Sequence, residues 1–287
     1  MERPMDEKVV VVTGGNAGIG LETAVGLAQL GSRVVFTARD PARGAAALDD
    51  VRRRSGSDAV DVMPLDLASF ASIRAFVADF GRNYDRLDVL VNNAGGMLRT
   101  RTETVEGFET TFGVNHLGHF LLTELLRDQL TASAPARIVI VASEAHKMTR
   151  GGIRFDDLQS TRHYSAFPVY GRSKLANVLH ARELGRRLAG TGVTANALHP
   201  GYVDSHFARD GDYGFERLQA LGARLFAITP AQGAATSIFL AAADEVTGAT
   251  GGYYARCKPR RPSPRGRDDA AAARLWAASD ALVATVT

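Results

Sequence analysis

Cysteine is almost missing from this chain: Cys257 is the only one in 287 residues. An intrachain disulfide is therefore excluded, and nothing points to an oxidising compartment. Long apolar runs are missing too. No stretch approaches the length of a membrane span, and the charged start, Met1 to Lys8, holds no apolar secretory segment. A soluble cytoplasmic protein without a membrane anchor is the expectation. The seven histidines show no H-E-x-x-H spacing, so no metal site is expected. Net charge is only +3, too small to argue for nucleic acid. The one local surplus is Arg256, Lys258, Arg260, Arg261, Arg265 and Arg267, interleaved with three prolines. Such a strip can hold a phosphate or an acidic surface, and a solvated C-terminal loop is the plainer reading.

What is present is ordinary for a globular protein, 45% hydrophobic and 23% charged. No repeat or long linker divides the chain, so a single domain over residues 1–287 is the simplest organisation. Short apolar runs alternate with longer amphipathic stretches. Val9 to Val12, Val34 to Phe36, Val60 to Met63, Val89 to Val91, Ile138 to Val141, Val193 to Leu198 and Gly252 to Ala255 read as strands buried on both faces. Helical patterns lie near 19–30, 69–82, 104–130, 168–190, 231–243 and 268–284. The alternation predicts an α/β, doubly wound (Rossmann) sheet of about seven parallel strands flanked by helices. Ligands of such sheets bind beyond the carboxyl ends of the strands, where the order reverses. Each candidate motif falls on such an end.

The first strand runs into Thr13-Gly14-Gly15-Asn16-Ala17-Gly18-Ile19-Gly20. Glycines here allow a tight turn and let the backbone approach a pyrophosphate resting on a helix N-terminus. A ligand-free strand–helix connection is the alternative. After the second strand, NAD binding favours an acidic residue for the ribose 2′-hydroxyl. The chain has Arg39 instead, nineteen residues after Gly20, and a guanidinium pairs with a 2′-phosphate. NADP(H) is thus favoured over NAD(H), with Arg43 assisting. Asp40 either opposes that phosphate or caps a helix before Pro41. Asp66, beside Leu67, either accepts from the adenine amine or caps the helix beginning near Ser69. Asn92-Asn93-Ala94-Gly95 either lines the cofactor channel or closes a turn.

Tyr170 and Lys174 stand four residues apart, on one face of a helix. A phenol, with a reference pKa of about 10, becomes a better acid beside a cation. Next to a nucleotide-cradling turn, the pair reads as a proton donor beside a hydride donor.

With Asn115, Ser143 and Pro200-Gly201 added, nearly the whole chain resembles the short-chain dehydrogenase/reductase family. Within it the chain looks most like the retinol dehydrogenase-like branch. Arg39-Asp40, the stretch Val114 to Phe120, His199-Pro200-Gly201 and the tail Cys257-Lys258…Arg274-Leu275-Trp276 carry that narrower likeness. The resemblance implies that Tyr170 is the general acid in reduction and the general base in oxidation. It implies that Ser143 holds the substrate oxygen, and that Lys174 binds the nicotinamide ribose and lowers the Tyr170 pKa. Asn115 would hold a water linking Lys174 to bulk solvent. Cofactor contacts are expected from Gly14, Asn16, Gly18, Ile19, Gly20, Arg39, Asp66, Leu67, Asn93, Ala94, Gly95, Tyr170, Lys174, Pro200, Gly201, Val203 and Ser205. Family members often pair through the helices holding Asn115 and Tyr170, which leaves a homodimer or homotetramer open.

Two insertions flank the expected substrate mouth. Residues near 144–169 offer His146, Phe155, His163, Tyr164 and Phe167, to line a pocket or to fold the loop on itself. Residues near 202–229 carry Phe207, Phe215, Leu218, Leu225 and Phe226, either as an apolar lid or as packing against the core. The expectation is an NADP-dependent oxidoreductase acting on a lipophilic ketone or aldehyde, or the reverse. The alternatives are an NAD-dependent alcohol dehydrogenase on the same fold and a catalytically silent dinucleotide sensor.

Overall fold

In the computed structural model, residues 4–202 and 228–285 are described. Val9–Val12 forms β1, buried along its whole length. Val9 and Val11 join one apolar layer and Val10 and Val12 the other, as period-two alternation requires of a strand covered on both faces. The same logic builds β2 (Arg33–Ala38), β3 (Val60–Pro64), β4 (Val89–Asn92), β5 (Ala136–Val141), β6 (Val193–His199) and β7 (Tyr253–Ala255). These strands are parallel, in the order β3-β2-β1-β4-β5-β6-β7. A two-residue antiparallel β8, Lys258–Pro259, adds an eighth strand at the edge. It is too short for alternation to show, and its proline can pair only at an edge.

Helices cover both faces. On one side lie α1 (Gly18–Gln29) and α2 (Pro41–Ser55). On the other, α3 (Phe70–Asn83) is followed by a single turn α4 (Thr110–Phe112), a π-helical turn Gly113–Leu117, α5 (Gly118–Ala132) and α6 (Ala166–Arg187). Then α7 (Pro230–Ala242) joins α1 and α2, and α8 (Asp269–Ala284) joins α5 and α6. The sequence pattern did not predict α2. It buries only Gly44, Ala47 and Val51 under a charged exterior, so its apolar stripe is thin. Its ends are nonetheless well specified: the Asp40 side chain accepts from the Arg43 amide, Pro41 opens the helix, and Gly56 closes it in the left-handed region at φ 67°. The helix expected from residue 104 starts later, because residues 103–109 form a turn closed by a bridge between Glu103 and Glu109.

Trp276 of α8 packs edge-on against Phe120, with ring centroids 4.9 Å apart, and lies 5.7 Å from the His180 ring. Arg187 stacks 4.3 Å over the same indole, and Ser279 Oγ meets His116 Nε2 at 2.8 Å. A second copy pairing through this surface of α5 and α6 would have to displace Trp276.

The two central strands are tied at their starts by Asp88, which is 2% exposed. Its carboxylate accepts from the Val9 amide at 2.9 Å, Lys8 Nζ at 3.0 Å and Arg86 Nη2 at 2.6 Å. Burial raises this carboxyl, yet the bonds from Arg86, Val9 and Lys8 outweigh it and hold it below its ordinary value. Its contribution is therefore present above the unfolded value of 3.8 and lost as pH falls through the lower folded one. Asp88→Asn should cost about 1–3 kcal/mol at neutral pH. Urea denaturation should show this deficit shrinking in acid.

Candidate active site

After β3 the chain crosses back to place β4 beside β1, so strand order reverses between them, and the carboxyl ends of these strands are where an open α/β sheet offers a ligand crevice. Thr13, at the end of β1, is the hub. Its buried hydroxyl accepts from the amides of Asn93 and Ala94 at 2.9 and 3.0 Å and meets His119 Nε2 at 2.9 Å. Burial pushes the His119 imidazole down to about 3, so the ring is neutral. Its Nδ1 faces the Asn115 carbonyl at 3.3 Å; a carbonyl only accepts, so Nδ1 carries the hydrogen and Nε2 accepts from Thr13.

The glycine-rich turn follows. Gly14 and Gly18 adopt φ 65° and 56°, where side chains are disfavoured. The Gly14 amide donates to Thr37 Oγ1, and the Asn93 side chain donates to Thr13 O at 2.8 Å. Asn16 lies in the turn, and Ile19 and Gly20 in the first turn of α1. No side chain caps that helix and no acidic residue stands in its first turn. Its free amides and positive dipole end fit a dinucleotide phosphate.

Arg39 is exposed just beyond β2 and makes no ion pair among the described residues. The Asp40 carboxylate is occupied as the α2 cap, so the capping reading of Asp40 holds. Asp66 is not a helix cap: its Oδ1 accepts from the Ala68 amide, and Ser69 caps α3. Leu67 sends its side chain into the core at 5% exposure, which leaves only its backbone for a ligand.

Asn115 falls in the π-helical turn. Its amide donates to Gly96 O at 2.8 Å and Ser173 Oγ at 2.9 Å, and accepts from the Gly96 amide at 2.8 Å. Ser173 in turn donates to Tyr170 O. Both amide hydrogens are thus spent tying the loop after β4 to α6. A Cβ on Gly95 would stand 2.7 Å from Asn115 Oδ1, so only glycine lets that loop approach.

Ser143 follows β5, and its Oγ accepts from the Ala145 amide at 3.2 Å. It also hydrogen-bonds the Tyr170 phenol. Lys174 is buried, donates to Val141 O at 3.0 Å, and lies 5.7 Å from the centre of the Tyr170 ring. Burial pushes its ammonium down to about 8. Among the described residues the expected acidification of Tyr170 is not found. Burial pushes the phenol up to about 12, against which the Ser143 bond works in the opposite direction.

Pro200 and Gly201 follow β6, with Gly201 at φ 105°. Val203, Ser205 and the residues expected as a lid over 202–229 lie outside the described residues, save Tyr202, Ile228 and Thr229. In the other insertion, His146 holds the fold: its Nδ1 contacts Ser143 O at 2.6 Å and its Nε2 accepts from the Ser263 amide at 3.1 Å. Tyr164 donates to Leu98 O and Phe155 packs under Arg274, so these two tie the insertion to the loop after β4 and to α8 rather than folding it on itself. Sequence reasoning missed Asn177, whose Nδ2 shares the Val141 carbonyl with Lys174 at 3.1 Å. Its spacing of three from Lys174 was the available signal.

Crevice, glycine turn and Tyr–Lys helix together define a nucleotide-dependent oxidoreductase. Residues 8–155 match the family model described as short chain dehydrogenase, and the chain belongs to that family. It is accordingly an NAD(P)-dependent oxidoreductase acting on alcohol or carbonyl groups. Human "Retinol dehydrogenase 14" is 44% identical over 97% of this chain and 87% of its own length. Mouse "Retinol dehydrogenase 12" is 47% identical, over 96% and 86%. Among solved structures, an uncharacterised protein from Mycobacterium paratuberculosis matches with a TM-score of 0.79 at 35% identity, covering 98% of this chain and 95% of its own. The Pseudomonas aeruginosa RhlG/NADP active-site complex matches with 0.70 at 28% identity, covering 88% and 96%.

Because Lys174 has a folded value near 8, below its ordinary 10.5, its burial is a stability cost in full below pH 8. That cost is relieved as pH rises toward 10.5. Lys174→Met should therefore be more stable than the parent at pH 7, by on the order of 2 kcal/mol. Denaturation across pH should show the gain shrinking above pH 8.

Proposed function

We propose that this enzyme uses NADPH to reduce a lipophilic ketone or aldehyde to its alcohol, or runs the reverse reaction, with Tyr170 as the proton-transferring acid/base. The observation that carries the reading is the hydrogen-bonded group of Asn115, Ser173, Tyr170 and Ser143 beside the buried Lys174, next to the uncapped helix that follows the glycine turn. Bound NADPH supplies the hydride. Ser143 donates to the carbonyl oxygen and steadies its growing charge. Tyr170 gives that oxygen its proton, and the Lys174 ammonium stabilises the phenolate left behind. Asn115 and Ser173 hold the backbone around Tyr170 so that both hydroxyls meet one oxygen.

For the cofactor, Gly14, Asn16, Gly18, Ile19 and Gly20 would take the pyrophosphate. Asp66 and the backbone of Leu67 would meet the adenine, and Asn93, Ala94 and Gly95 would line the channel. Tyr170 and Lys174 would hold the nicotinamide ribose, with Pro200, Gly201, Val203 and Ser205 around the ring. Arg39, exposed and without an ion pair among the described residues, supports NADP over NAD, and the similar RhlG was solved with NADP. The names of the relatives, which point to retinol, a lipophilic alcohol, support an apolar substrate. A single domain working in the cytoplasm is part of the same proposal.

Tyr170→Phe should still bind NADPH, within about tenfold of the parent, yet lose turnover on a carbonyl panel by about 10²–10⁴-fold; near-parental turnover would remove Tyr170 from the chemistry. Arg39→Ala should weaken NADPH by about ten- to a hundredfold in a fluorescence titration while NADH binding stays put. An equal loss for both nucleotides would contradict the 2′-phosphate role.

A further inference from the structure

The basic strip near the C-terminus has a second half that the sequence separates from it. Residues 145–155 hold Lys147, Arg150 and Arg154 and no carboxylate, and residues 256–267 hold six more cations and again none. The two segments touch: the Ser263 amide donates to His146 Nε2 at 3.1 Å, and Gly152 lies against the Arg265 side chain. Nine cations therefore share one region, while the whole chain is only +3, so everything else is net acidic by six.

These cations are little neutralised locally. Lys147 pairs with Glu144 and Arg154 reaches Asp157 at 3.8 Å. Arg150, Arg256, Lys258, Arg260, Arg261 and Arg265 are exposed, and none makes an ion pair among the described residues. The region flanks the mouth of the crevice. Its first segment begins two residues after Ser143, beyond Glu144, its second begins where β7 ends, and both Lys147 and Arg256 act on His199 at the end of β6.

Apolar side chains stand among the charges. Met148, between Lys147 and Arg150, is 67% exposed, and at the same end of the sheet Phe167 and Tyr202 are 44% and 56% exposed. Basic side chains with protruding apolar ones match a bilayer interface, where cations meet headgroups and apolar groups enter the acyl boundary. A nucleic acid offers nothing to the exposed methionine, whereas an acyl boundary takes it in. A protein adding a strand is opposed by Pro259 in edge strand β8 and by Pro262 just after it.

We propose that this face docks the enzyme peripherally on a membrane surface rich in anionic headgroups, turning the mouth of the crevice toward the lipid. The proposal does not rest on the catalytic assignment, since none of these residues takes part in it.

Sedimentation of the full chain with phosphatidylcholine vesicles, with and without phosphatidylglycerol, tests it. The parent should pellet with the anionic vesicles, not with the neutral ones, and should be released by salt. Arg260→Glu combined with Arg261→Glu should lower the partition coefficient by about tenfold or more, with turnover of a water-soluble carbonyl unchanged. Met148→Ser should weaken anionic-vesicle binding by about threefold, and Tyr170→Phe should bind as the parent does. Equal binding to both vesicle types, an undiminished reversal variant, or retention on heparin without vesicle binding would overturn the proposal.

Discussion

The site is organised around one buried ammonium held by a backbone carbonyl. Lys174 donates to Val141 O at the end of β5, Asn177 donates to the same oxygen, and no carboxylate pairs with the ammonium among the described residues. A carboxylate there would neutralise the cation and remove its pull on a nearby phenol. A carbonyl dipole fixes the ammonium while leaving its charge uncompensated. Burial then draws its value down to about 8, so the group is costly to fold and available to act. Strained or costly groups of this kind are expected where function competes with stability.

The rest of the fold exists to keep that cation, Tyr170 and the glycine turn in register. Two apolar layers clamp the sheet, and Asp88 ties β1 to the start of β4. At the other end of the same strands, the Thr13 hydroxyl gathers the loop after β4 and, through neutral His119, the carbonyl of Asn115. One hydroxyl thus links the glycine turn to the helix region that supports Tyr170. Such a network is rigid because each member is satisfied, and a rigid frame is what the proposed two-point contact with a substrate oxygen would need.

Most of this architecture was legible in the sequence because its signals are local. Four consecutive valines at 9–12 identify a strand covered on both faces, and Tyr170 with Lys174 identifies a helix face. What escaped had weak or non-local signals. Helix α2 was hidden by its sparse apolar stripe, although Asp40-Pro41 marked its start. Strand β8 has two residues. Asn177 and Thr13 acquire meaning only when strand ends converge in space, as does the meeting of residues 145–155 with 256–267. The Tyr170 phenol shifts opposite to the sequence expectation because sequence supplies the neighbouring cation but not the degree of burial, and burial wins.

A phenol near 12 is a poor proton donor at neutral pH, and an oxidised nicotinamide, which is cationic, would when bound add to Lys174 in lowering it. Carbon-13 NMR of ring-labelled tyrosine, assigned to Tyr170 by its substitution, follows this ionisation directly. On saturation with NADP⁺ the Tyr170 midpoint should fall by several units from its value in the protein alone. A midpoint that stays near 12 with the nucleotide bound would contradict the assignment of Tyr170 as the acid/base.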